Sequence, residues 1–96
     1  MDIEKFVKEY LPFIRKILAK TLYIKYNLTQ SEIAKKLNIS QATISYYLSE
    51  KRGVKELELN EKVTELIENF ARAVAFRKNV SKKELEEFYD ELRKSL

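Results

Sequence analysis

The residues with the most chemistry to offer lie between Gln30 and Ser49, in the run QSEIAKKLNISQATISYYLS. Two short helices crossing steeply over a tight turn need a small residue at the crossing, a turn former between them and apolar residues that close a miniature core. Ala34 is the small residue, Asn38 the turn former, and Ile33, Leu37, Ile39, Ile44 and Tyr47 the core. The second helix, about 41–49, then has Gln41, Ala42, Ser45 and Tyr46 left for solvent, a face of short uncharged side chains. Such a face suits a DNA major groove. Glutamine bonds adenine N6 and N7 in bidentate fashion, serine donates or accepts, and alanine or an aromatic edge meets a thymine methyl. Lys35, Lys36, Lys51 and Arg52 flank the face, and Lys51 and Arg52 are expected on backbone phosphate, which neutralises charge without reading sequence.

The elements around this run follow from spacing and punctuation. Ile3, Phe6, Val7 and Tyr10 behind an Asp2 cap predict a helix to about Leu11, which Pro12 interrupts. A new helix then starts near Pro12, with Phe13, Ile17, Leu18 and Leu22 inward, and ends at Asn27. Thr29 to Glu32 form a capping box, Ser40 is an N-cap, and Gly53 closes the second short helix. Val54 to Leu59 alternate apolar and charged and read as an extended connector. Asn60 caps a long helix carrying Val63, Leu66, Ile67, Phe70 and Val74, and a second capping box, Ser81 to Glu84, opens a last helix with Leu85, Phe88, Tyr89, Leu92 and Leu96. The fold class is therefore all-α: a small helical domain with a helix-turn-helix and C-terminal dimerisation helices.

Taken in order, the opening LP-x-hydrophobic-R at Leu11-Pro12-Phe13-Ile14-Arg15, the helix-turn-helix and the close S-x-Y-L-x-x-K-R-G at Ser45 to Gly53 resemble an archaeal branch of the Cro/repressor-like (XRE-type) transcriptional regulators. The resemblance covers about residues 10–53. It implies Gln41, Ala42, Ser45 and Tyr46 as base readers, and Gln30, Ser40 and Thr43 as phosphate contacts. Two departures stand out: the turn carries Asn38 where the family usually has glycine, and the C-terminal cysteine pair of that branch is missing, so no metal or redox sensing is carried over.

Charge and composition bound the rest. The 96 residues hold one Gly, one Pro and no Cys or His. That removes disulfides, thiol catalysis, imidazole bases and soft-metal ligation, and no cofactor is expected. Residues 1–55 carry 11 bases against 5 acids, while residues 56–96 carry 8 bases against 10 acids. A basic half suits a polyanion. The chain divides into a helix-turn-helix DNA-binding region over 1–55 and a dimerisation region over 56–96, within one compact domain. Phe70, Val74, Phe88, Tyr89 and Leu92 give the C-terminal helices more apolar width than a monomer of this size covers, so they are expected to form a two-fold interface. Glu84, Glu86, Glu87, Asp90 and Glu91 read as a solvated face, not as a cation site.

The sequence therefore implies a cytoplasmic, non-enzymatic homodimer that binds double-stranded DNA, with no membrane span and an unknown effector. Its Lys/Glu-rich, cysteine-free composition is of the thermophile type. The competing reading is a helical protein-interaction module, antitoxin-like or a co-regulator, without specific DNA binding.

Overall fold

Five helix N-termini in the computed structural model, which describes residues 1–49 and 54–96, are set by side-chain caps. Asp2 accepts from the Lys5 backbone N–H at 3.2 Å and opens helix α1, Ile3–Lys5. The backbone then continues through a π-helical segment, Phe6–Tyr10, directly into α2, Leu11–Ile24. Pro12 thus does not interrupt the helical path as expected. Proline lacks an N–H, and its ring clashes with the carbonyl four residues back. The wider π turn, in which Leu11 N–H reaches Phe6 O, changes the bonding pattern just ahead of the ring without ending the helix. Asn27, at φ 60°, follows α2.

Thr29 caps α3, Gln30–Leu37: its hydroxyl accepts from Glu32 N–H at 3.1 Å while the Glu32 carboxylate accepts from Thr29 N–H at 3.0 Å. Ser40 caps α4, Gln41–Leu48. After residues 54–59, which form neither helix nor strand, Asn60 caps α5, Glu61–Phe76, and the Ser81–Glu84 capping box opens α6, Lys82–Ser95. Among the described residues there is no strand, so the architecture is all-α.

One hydrophobic cluster draws on both halves of the chain. Helix α2 supplies Ile14, Leu18, Ala19 and Leu22, α3 and α4 supply Ile33, Ala34, Leu37, Ile44 and Tyr47, and α5 and α6 supply Val63, Ile67, Ala71, Val74, Leu85, Phe88 and Leu92. Helix α2 is the central strut, packed against both α4 and α5. Burying each large aliphatic side chain is worth roughly 1.5–3 kcal/mol.

This cluster takes in three of the five residues expected at an interface. Val74, Phe88 and Leu92 lie in the chain's own core. The half-buried Phe70 stacks face to face on Phe88, centroids 3.9 Å apart. The apolar width is taken up inside the protomer because α5 and α6 pack on each other and α5 packs on α2.

Candidate nucleic-acid interface

The turn between α3 and α4 sets their relative direction. Asn38 sits in the left-handed region at φ 55°, ψ 47°. Its N–H reaches the Lys35 carbonyl, and Ile39 N–H reaches the Ala34 carbonyl at 3.0 Å. This is the bonding of a Schellman stop, in which a left-handed residue turns the chain out of the helix while satisfying its last carbonyls. Asparagine tolerates that conformation, so the turn forms here without a glycine. Two residues later Ser40 is extended, and its Oγ accepts from Thr43 N–H at 3.1 Å to start α4. Helices α3 and α4 pack against each other, with Ile33, Ala34 and Leu37 of the first and Ile44 and Tyr47 of the second all buried.

What this leaves outside is the face expected from spacing. Gln41, Ala42, Ser45 and Tyr46 are all exposed, and Tyr46 retains 42% of its surface. From Gln41 to Leu48 there is no charged side chain, and the first turn of α4 carries no acid. By contrast, Glu32 occupies the first turn of α3, where the backbone N–H of Thr29 holds its carboxyl below the usual carboxylate range. The positive end of α3 is thus partly answered from within the chain. The first turn of α4 carries no acid: Ser40 Oγ takes the Thr43 N–H, and the positive end of the helix dipole suits an anion.

The phosphate candidates are distributed differently. Gln30 is the first residue of α3 and half-buried. The Ser40 and Thr43 hydroxyls lie 2.8 Å apart, one donating to the other, which leaves one hydroxyl hydrogen of the pair for an external acceptor. Lys51 and Arg52, together with the Gly53 cap, lie outside the described residues. Lys35 is exposed at the end of α3. Lys36, beside it, is half-buried, and its ammonium donates to the carbonyls of Val74, at 3.1 Å, and Arg77. Sequence spacing offered no sign of this, because the partners lie 38 and 41 residues away.

The acidic helix forms ion pairs. Glu84 receives both terminal nitrogens of Arg77, which together with the Ser81 backbone N–H pulls its carboxyl down to about 2. Asp90 pairs with Arg93 at 2.7 Å and Lys94 at 3.0 Å, and these partners likewise lower its pKa. Among the described residues no group of three or more His, Cys, Asp or Glu is placed to hold a metal ion. Arg15, from the opening motif, lies over the ring of Tyr89 at 5.6 Å, joining α2 to α6. Burial pushes the Tyr89 hydroxyl up, and the neighbouring Arg15 opposes that shift.

Tyr89 also lines a surface groove of about 240 Å3 with Ile3, Phe6, Val7, Leu11, Glu86, Asp90 and Arg93. Ile3 and Val7 are 61% and 50% exposed at this groove. No helix among the described residues is long and apolar enough to cross a membrane.

A helix-turn-helix family model matches residues 20–59, the stretch that contains α3, the Asn38 turn and α4. The match supports the XRE-like family, a family of DNA-binding transcription regulators and not of enzymes. The Leu11 to Arg15 opening lies ahead of the matched stretch. No curated protein and no solved structure matches the chain.

Proposed function

We propose that the chain is a sequence-specific double-stranded-DNA-binding transcription regulator that places α4 in the major groove and acts as a homodimer. The observation that carries this reading is the outer face of α4: helical, exposed and free of charge from Gln41 to Leu48, beside a helix N-terminus with no acid in its first turn. A helix built only for water would carry charges there. In the groove, Gln41 and Ser45 present hydrogen-bonding groups to base edges, and Ala42 and Tyr46 present apolar contacts. Gln30, the Ser40–Thr43 hydroxyl pair, Lys51 and Arg52 take phosphate.

The homodimer uses surface that the protomer leaves open. Of the five interface residues expected from the sequence, Tyr89 lines the groove beside exposed Ile3 and Val7, and this groove is the surface proposed for the second copy. The same exposed apolar residues are what favours the alternative reading of a protein-interaction module.

Selection from a randomised duplex pool at low and moderate salt tests the proposal. The expected result is salt-sensitive binding and an enriched two-fold-symmetric motif with half-sites about 10 base pairs apart. Binding that enriches no motif contradicts sequence specificity. Absence of binding at any salt, with a stoichiometric partner protein retained on purification, favours the interaction module.

A further inference from the structure

Lys36 stands among the bases beside the DNA-facing helices in sequence, yet its ammonium is turned to the opposite part of the fold. It donates to the carbonyls of Val74 and Arg77, at the C-terminal end of α5. That end is a natural cation site, since the last carbonyls of a helix have no partner within it and gather partial negative charge. Helix α5 has no basic residue of its own in its last turn. The cation comes instead from α3.

The contact does not stop at the carbonyl. Arg77 is extended at φ −103°, ψ 140°, and ends α5. While its carbonyl accepts from Lys36, its guanidinium forks onto Glu84, whose carboxylate caps the N-terminus of α6 through Ser81 N–H at 3.3 Å. A continuous polar path therefore runs from α3, through the end of α5, to the start of α6. Beside it, Phe76 meets Tyr26 edge-on at 5.9 Å, a second tie between the α5 terminus and the approach to α3. Two ties at one corner resist rotation of α3 where one would act as a pivot.

We propose that Lys36 is a positioning residue: it pins the helix-turn-helix to the C-terminal helices, sets the angle at which α4 is presented, and does not contact phosphate. The inference rests on the DNA-binding reading above. In the complex, Lys35 at the exposed neighbouring position is left to face the polyanion, while Lys36 acts through α3.

The salt dependence of binding separates the two roles. A lysine on phosphate contributes about 0.9 to the slope of log affinity against log salt, and its loss lowers the slope by that amount. A brace contributes affinity through geometry and leaves the slope alone. Lys36→Met, which keeps the aliphatic stem but removes charge and donors, is expected to weaken binding to the selected duplex about tenfold, within the usual range of site-to-site coupling. The slope should stay at the wild-type value, and Lys36→Arg should restore the affinity. A slope reduced by about 0.9, or wild-type affinity in Lys36→Met, overturns the proposal.

Amine acylation of the wild-type chain, read by mass spectrometry, does not depend on any variant folding. Lys36 should react slowly with and without DNA, while Lys35 reacts fast in the free chain. Fast Lys36 acylation that DNA suppresses overturns the brace. If the wild-type chain binds no duplex, the DNA-binding reading falls. Slow Lys36 acylation in that free chain still supports the brace, and fast acylation still overturns it.

Discussion

Helices α4 and α6 solve the same problem, covering one side of a small core, in opposite ways. Helix α6 turns Leu85, Phe88 and Leu92 inward and sets Glu84, Asp90, Arg93 and Lys94 in ion pairs along its wetter side. Helix α4 turns Ile44 and Tyr47 inward and leaves only Gln41, Ala42, Ser45 and Tyr46 outside. The first is what water asks of a surface helix; the second gives up the solubilising charges that helix surfaces normally carry. The difference teaches that burial pattern alone does not mark a functional helix. The chemistry of the exposed side does, and here it separates a supporting helix from the one proposed to read DNA.

The inner sides of the two helices should behave alike. Leu92→Ala and Ile44→Ala each remove a fully buried aliphatic group, and each is expected to destabilise the fold by about 2–5 kcal/mol in chemical denaturation. A much smaller loss for Ile44 would mean that α4 is not held by the packing described. The groove beside α6 gives the next effect. For the proposed homodimer, the wild-type chain is expected to sediment as a dimer and Val7→Glu as a monomer without loss of helicity; a dimer that persists in the variant would place the interface elsewhere, and a monomeric wild type would contradict the dimer.

The Asn38 turn aims α4 and has no counterpart in α6. Asn38→Ala puts a less tolerant residue in the left-handed region and should cost about 1–2 kcal/mol, while Asn38→Gly should be near neutral. The smallest effect belongs to the charged side of α6. Glu84 has its pKa lowered from 4.5 to about 2, so its ion pair contributes stability above pH 4.5 that is lost as pH falls toward 2. The difference in melting temperature between wild type and Glu84→Gln should therefore be present at neutral pH and close across that window. A difference that persists below it would assign the effect to the cap geometry and not to the charge.

Much of this was legible in the chain because it is local. The Thr29 and Ser81 capping boxes, the Asn38 turn and the Ser40 cap each depend on residues three or four apart, and the exposed side of α4 follows once Ile44 and Tyr47 are assigned inward. What was not legible depends on distant partners. Periodicity showed that Val74, Phe88 and Leu92 share an apolar character, but not that the protomer's own helices cover them. Composition counted Lys36 among the bases near DNA; only the fold brings the Val74 and Arg77 carbonyls to its ammonium. At Pro12, a local rule gave the wrong outcome because a π turn offers an alternative to ending the helix.

The central claim, that α4 reads base edges, is tested most directly by Gln41→Ala measured on the selected duplex and on a panel of single-base variants of it. Gln41 lies on the exposed side of α4, so fold stability should not change. The expected result is a loss of about 1–3 kcal/mol on the preferred duplex together with relaxed discrimination at one base pair. An equal loss on every duplex would contradict it, showing that Gln41 adds to binding without reading sequence.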